Sequence, residues 1–283
     1  MTIIDGYLLL SRIGRGGTAT VFLATPLAGG PPVAVKLIRH GTGASSRREF
    51  AIASAVDAGC TAAPIAHGVT ATGSYLITAY LQGYRSGAGL MGDTMPVASL
   101  LTFGGELAGR LASLHDSGVV HCDVKPSNLL VGDDDVRVID FGISRYVGEL
   151  PPEDGFVQCS RGWAAPEQLR GEPLAPSTDV FAWGSLMAYL STGFHPFAGR
   201  GEADWIRRVG SGRPNLSGLH HGLDAVVRAA LAHDPRDRPG ARELAAICRD
   251  GTRRASTPEP AARPRPATVR TEAAQEDTAA CAV

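Results

Sequence analysis

Residues Val119 to Gly142 run V-V-H-C-D-V-K-P-S-N-L-L-V-G-D-D-D-V-R-V-I-D-F-G. Two short apolar arms, Leu129–Val131 and Val136–Ile139, flank the turn Gly132–Asp135. β-Branched arms around a Gly/Asp turn predict a small hairpin. A hairpin brings its open ends together, so Asn128, entering one arm, and Asp140, leaving the other, are expected side by side. Asp123 lies just before, on a loop stiffened by Pro126, with Lys125 two residues on. An amide oxygen and a carboxylate within reach of each other suit a hard divalent cation such as Mg²⁺. A second carboxylate next door suits a proton acceptor. Together they point to phosphoryl transfer. A bare D-F-G would carry little weight; D-x-K-x-x-N followed by D-F-G at this spacing carries the argument. The turn acids Asp133–Asp135 are expected to be solvated and nothing more.

The chain has 283 residues, enough for one large domain or two lobes. Its net charge is −1, which supplies neither a basic surplus for nucleic acid nor an acidic tail for a basic partner. No charged segment followed by an apolar run opens the sequence, and no apolar run is long enough to span a bilayer, so a cytoplasmic protein is expected. Cysteines 60, 122, 159, 248 and 281 show no C-x-x-C pair and no metal-ligand spacing, and reduced thiols are the expectation. Of 27 basic residues only two are lysine, Lys36 and Lys125. A compact ammonium and a planar guanidinium are not interchangeable at a tight site. Both positions are therefore expected to need the smaller head group.

Working outward toward the N-terminus, residues 7–38 alternate apolar runs with turn signals and predict a three-strand antiparallel meander. Gly14, Gly16 and Gly17 fall between two strands, whereas a Rossmann or Walker-type loop needs a helix next. A glycine-rich hairpin can still lie over phosphates, because no Cβ blocks its approach. Alone it is weak evidence, and Ala19 replaces the third glycine of G-x-G-x-x-G. Lys36 sits in the apolar strand V-A-V-K and needs a partner. Arg47–Gly59 reads as a helix, and its Glu49 is the natural ion-pair partner. Ile65–Val69 and Tyr75–Leu81 read as two more strands. Gln82–Met95, rich in Gly and Ser, reads as a linker between two lobes, and a cleft between lobes is a usual ligand site.

Toward the C-terminus the period becomes helical. Leu107, Leu111 and Leu114 form one stripe, closed by Gly118. Ile143–Gly162 reads as a long loop, followed by A-A-P-E. Ser177-Thr178-Asp179 is expected to cap an apolar helix, Val180–Leu190. Leu223–Leu231 and Ala241–Arg249 read as amphipathic helices around H-D-P-R-D-R-P. Residues 250–283 shift to Pro, Arg, Ala, Thr and Glu; from 251 on they are expected to be a disordered tail.

Over roughly residues 5–249 the chain resembles the eukaryotic-like (Hanks-type) serine/threonine protein kinases of bacteria. The matching pieces are I-G-R-G-G-T-A-T-V, V-A-V-K, a helix glutamate, H-C-D-V-K-P-S-N-L-L, D-F-G, A-P-E, Asp179 with Trp183-Gly184, and R-D-R-P. The resemblance implies an α+β, two-lobed protein-kinase fold. Its small β-sheet lobe, with one helix, would cover about 5–81, and its larger helical lobe about 96–249. It implies ATP and Mg²⁺ as cofactors, and a protein with a serine or threonine acceptor as partner. Ile13, Gly14, Gly16, Gly17, Val21, Ala34 and Leu130 would contact the nucleotide, with Ala79 and Leu81 reaching adenine through backbone groups and Thr78 behind them. Lys36, oriented by Glu49, would hold the α/β-phosphates. Asp123 would accept the substrate hydroxyl proton, Lys125 would steady the γ-phosphate, and Asn128 and Asp140 would hold Mg²⁺. Glu167 with Arg238, and Asp179, would be scaffold.

Two departures stand out. Cys122 replaces the arginine that precedes the catalytic aspartate in the family and pairs there with a phosphorylated loop. Between Asp140 and Glu167 the only hydroxyls are Ser144, Tyr146 and Ser160. The expectation is a non-RD kinase that needs no activation-loop phosphorylation. Cys122 is expected to be a space-filling side chain. A redox role for it with Cys159, and modification of the hydroxyls in R-R-A-S-T at Arg253–Thr257, are the less favoured readings. Two alternatives to an active kinase stay open: an ATP-binding pseudokinase, and a small-molecule phosphotransferase of related fold.

Overall fold

The computed structural model describes residues 2–150, 159–160 and 162–256. The alternating N-terminal segments form β1 (Ile3–Ile4), β2 (Tyr7–Arg15), β3 (Ala19–Pro26) and β4 (Val33–Arg39). Helix α1 (Gly43–Ala55) follows, then β5 (Pro64–Thr70) and β6 (Gly73–Ala79). The sheet order is β1-β2-β3-β4-β6-β5, antiparallel throughout, so the expected meander is present with a short strand added at its edge.

Register gives this sheet two faces. Ala24, Val33, Val35, Ile77 and Tyr75 form a buried cluster on one. On the other, Val21 stands opposite Lys36 and Ala34 opposite Thr78. Residues 34 and 36 are two apart on one strand and share that face. Helix α1 starts before the expected Arg47 because Thr42 and Ser45 make a capping box: each side-chain oxygen accepts the other's N–H, at 3.2 and 3.1 Å. Without those bonds G-T-G-A-S-S reads as a turn.

The expected linker carries structure. It holds β7 (Arg85–Ser86) and a 3₁₀ turn, Gly87–Leu90, ahead of α2 (Val97–Asp116) and β8 (Val119–Val120). The hairpin follows as β9 (Leu129–Val131) and β10 (Val136–Val138), and β7 pairs with β9 as its third strand. Asp135 corrects the solvated-turn reading. Its carboxylate accepts from Arg110 at 2.7 Å, from Arg137 at 2.7 Å and from the Tyr84 hydroxyl. Burial works against its charge, but the hydrogen bonds from Tyr84 and Arg110 outweigh it and hold the carboxyl below the usual range. No spacing in the sequence joins Tyr84 to Asp135; only pairing of β7 with β9 does.

The segment expected to be a plain loop after Ile143 opens with β11 (Arg145–Tyr146), which pairs with β8. Then come α3 (Pro166–Leu169), α4 (Pro176–Thr192), α5 (Glu202–Gly210), α6 (His221–Ala230) and α7 (Ala241–Ser256). Helix α4 is apolar nearly all round and is the buried axis of this lobe. Trp183, Leu186 and Met187 are fully buried, and each such side chain contributes about 1.5–3 kcal/mol. Pro176 opens the helix and Gly193, at φ 80°, closes it. Asp179 therefore lies inside the first turn and does not cap.

Helix α5 has no counterpart in the sequence expectations. It is nine residues long with only Trp205 and Val209 buried, too few for a visible period. Helix α7 continues past the expected end at Arg249, because Gly251 packs on Leu101 and Thr252 bonds the Cys248 carbonyl at 3.0 Å. Arg253 and Arg254 of R-R-A-S-T are thus helical; Thr257 and the rest of the expected tail lie outside the described residues.

Candidate active site

The H-C-D turn is built first by its backbone. Asp179, 1% exposed, accepts the N–H of His121 and of Cys122, each at 2.8 Å, and faces His115 Nε2 at 2.9 Å. Gln168 donates to the Cys122 carbonyl at 2.8 Å, and Ser144 Oγ donates to the His121 carbonyl at 2.9 Å. His121 Nδ1 accepts the Asp123 N–H at 3.3 Å, which leaves the ring proton on Nε2, where it faces the Ile139 carbonyl at 3.1 Å. Cys122 is held at φ 65°, a left-handed conformation costly for a side chain with a Cβ. The surrounding bonds over-determine it, as expected of strain kept at a functional site. Its thiol is buried and pushed well above its ordinary value, first by burial and then by Asp179. It fills space, and a buried neutral thiol is a poor redox centre.

Asp123 is next. Its Oδ2 accepts from Lys125 Nζ at 2.7 Å and from Asn128 Nδ2 at 2.8 Å, while its Oδ1 is buried with no donor among the described residues. Lys125 also donates to Ser160 Oγ. The Asn128 carbonyl accepts the Ile139 N–H at 2.9 Å, so the hairpin does bring its two ends together.

From the other end, Asp140, at φ 70°, turns its carboxylate to the sheet lobe. Lys36 Nζ donates to Asp140 Oδ1 at 2.7 Å and to Glu49 Oε1 at 2.7 Å. Three elements meet there: β4, α1 and the end of the hairpin. Burial opposes the charge on Lys36, but Asp140 and Glu49 outweigh it and lift the ammonium above its ordinary value. Burial pushes Glu49 up. It would raise Asp140 too, but Lys36 wins and holds that carboxyl low. A Cβ on Gly142 would lie 3.3 Å from Asp140 Oδ1, so that the carboxylate would have to give by a few tenths of an ångström, and in ordinary contact with Glu49 at 3.7 Å and Lys36 at 3.9 Å.

Each of the two lysines of the chain is thus held against a carboxylate: Lys36 on Glu49 and Asp140, and Lys125 on Asp123. Gly14 stands opposite Val21, and Val21 opposite Lys36. Gly16 spends its N–H on the Ala19 carbonyl, and a Cβ on Gly17 would meet nothing within 4 Å. Ile13 is half-exposed beside that loop. Ala79 gives its N–H to Ala63 and can offer a ligand only its carbonyl. Leu130 sits opposite Ser86 on β7, and Leu81 lies two residues past the end of β6. Sequence reasoning missed Arg48, Tyr84, Gln168, Ser144 as a clamp, and His121; none sits in a pattern that announces its partner.

Among the described residues no three His, Cys, Asp or Glu side chains gather as a metal cage. Mg²⁺ does not need one: it takes one or two carboxylates, keeps waters and shares substrate phosphates. The Asn128 NH₂ is spent on Asp123, so its amide oxygen is the atom that could face a cation.

The protein kinase domain model matches residues 7–247. The chain is 34% identical over 252 residues to the probable serine/threonine-protein kinase PkwA of Thermomonospora curvata, covering 86% of this chain and 34% of that protein. It is 30% identical over 253 residues to the serine/threonine-protein kinase AfsK of Streptomyces coelicolor, covering 86% and 31%. It is 29% identical over 256 residues to PknJ of Mycobacterium tuberculosis, covering 84% and 44%. The chain therefore spans between 31% and 44% of the length of these relatives. Sequence match, two-lobed fold and paired-lysine site agree, and the chain belongs to the protein kinase family, alongside bacterial serine/threonine kinases.

Proposed function

We propose that this protein transfers the γ-phosphate of ATP to serine or threonine hydroxyls of proteins, itself included, with Mg²⁺. The observation that carries the reading is the Lys36 ammonium held between Glu49 and Asp140 at 2.7 Å each, across the boundary between the lobes. A cation fixed there has its charge and direction set before substrate arrives, which is how preorganised electrostatics lowers a barrier. The orphaned Asp123 Oδ1 suits the acceptor hydroxyl, since a buried carboxylate oxygen without a donor is costly. In this reading Asp123 takes the proton, and Lys125, already bridging Asp123 and Ser160, neutralises charge on the transferred group. Asn128 and Asp140 would hold Mg²⁺, which would screen the charge between phosphates. Ile13, Gly14, Gly16, Gly17, Val21, Ala34, Ala79, Leu81 and Leu130 would enclose the nucleotide. The reaction belongs where ATP is plentiful, in the cytoplasm.

Cys122 leaves no arginine before Asp123 to receive a phosphate, and Ser144 is 1% exposed, so activity is proposed to need no loop phosphorylation. The test is transfer from radiolabelled ATP by wild type and Asp123→Asn, onto the protein itself, other proteins and small-molecule acceptors. Label on proteins from wild type alone supports the proposal. ATP binding without transfer would make it a pseudokinase, and label on small molecules alone would overturn the acceptor class.

A further inference from the structure

Arg48 is the residue before Glu49 on α1. Glu49 faces inward to Lys36; Arg48 leaves the helix toward the segment that follows Asp140. Its Nη2 donates to the Ser144 carbonyl at 3.1 Å and to both Glu149 carboxylate oxygens, at 2.8 and 2.9 Å. Glu149 also accepts the Tyr146 N–H at 3.0 Å and a longer contact from Arg145 at 3.5 Å. The same stretch is anchored at its other end, where Arg145 and Tyr146 pair with β8 and Ser144 bonds the His121 carbonyl. One carboxylate thus ties the helix that carries Glu49 to the strand beside the catalytic turn.

We infer that Glu149 is a positioning residue: through Arg48 its fixed negative charge holds α1 against the segment after Asp140 and so keeps Glu49 on Lys36, with no covalent modification of that segment. This rests on the phosphoryl-transfer reading above and goes beyond it. The charge is permanent, and among the described residues the groups facing it are Arg48, Arg145 and the Tyr146 amide. Ser144, whose hydroxyl is buried and engaged, cannot supply a switchable charge in its place. An exposed pair in isolation contributes little. Here it biases an equilibrium, the seating of one helix, and so changes the ratio of molecules with Glu49 seated to those without by the Boltzmann factor of the pair.

The experiment uses the full chain after phosphatase treatment, as wild type, Glu149→Gln, Arg48→Gln and the double variant. Each single change is expected to lower kcat by about three- to tenfold with the acceptor KM unchanged, and the double to be no worse than either single. Amides of α1 should exchange faster in Glu149→Gln while the melting temperature stays near wild type. Wild-type kcat in Glu149→Gln, or losses that multiply in the double variant, would overturn the inference. If wild type transfers no phosphate at all, the functional reading fails on its own, and unchanged α1 exchange in Glu149→Gln still decides against the clamp.

Discussion

Arg238 grips Glu167 through two parallel contacts, Nη1 to Oε1 at 2.7 Å and Nη2 to Oε2 at 2.9 Å, with both side chains out of solvent. The guanidinium also donates to the Ala232, Ser177 and His233 carbonyls and lies 4.9 Å over the Phe181 ring. Breaking such a pair from one side leaves a buried charge alone. Arg238→Met is expected to destabilise by about 3–5 kcal/mol in denaturant unfolding. Adding Glu167→Gln to that variant should return about 1–2 kcal/mol, because it removes the stranded charge. Independent, additive losses would show that the pair is not the unit.

Lys36 sits in an otherwise arginine-biased chain. Lys36→Arg keeps the charge but replaces a point donor by a planar fork that cannot meet Glu49 and Asp140 in the same space. Transfer activity is expected to fall about 100-fold with the protein still folded. Near wild-type turnover by the arginine variant would remove the argument that this position needs the compact ammonium.

Ser144→Ala removes one hydrogen bond to the His121 carbonyl and nothing else. Stability should drop by about 1 kcal/mol, and phosphatase-treated protein should keep activity within about threefold of untreated protein. Abolished activity after phosphatase, or in Ser144→Ala, would sink the proposal that no loop phosphate is needed.

His195 packs edge-on against Trp163 at 5.0 Å, beside a cavity of about 320 Å³, and burial pushes its pKa down from 6.5 to about 4. Between those two values the unfolded chain binds a proton that the folded chain does not. Stability is therefore full above pH 6.5 and falls as pH drops toward 4, by about 3 kcal/mol in all. Urea unfolding between pH 7 and 4.5 should cost wild type about 2–3 kcal/mol more than His195→Phe. Equal acid sensitivity of the two would mean that His195 is not kept neutral by the fold.

The strands of the sheet lobe, α2, α4 and the hairpin were legible because their periods are local: alternation marks a strand and a leucine stripe marks a helix. The expectations that failed are those where the deciding partner is distant. Asp135 looked like a solvated turn acid because Tyr84 and Arg110 are 51 and 25 residues away. Residues 250–256 looked unstructured because their composition is polar, yet α2 supplies the apolar surface on which Gly251 packs. Helix α5 buries only two side chains and leaves no stripe.

The order of residue types along the chain singled out Lys36, Glu49, Asp123, Lys125, Asn128 and Asp140 as candidates, and the structure bonds Lys36 to Glu49 and Asp140, and Asp123 to Lys125 and Asn128. The sequence could not say that Asp179 would fasten the H-C-D turn by two backbone N–H groups, or that Arg48 would close on Glu149 from across the lobe boundary. Those bonds exist only once strand pairing and helix packing bring separated backbone groups within 3 Å. A linear string specifies which chemical groups are present. Their angles and neighbours are settled by burial of the apolar faces, which takes place in three dimensions.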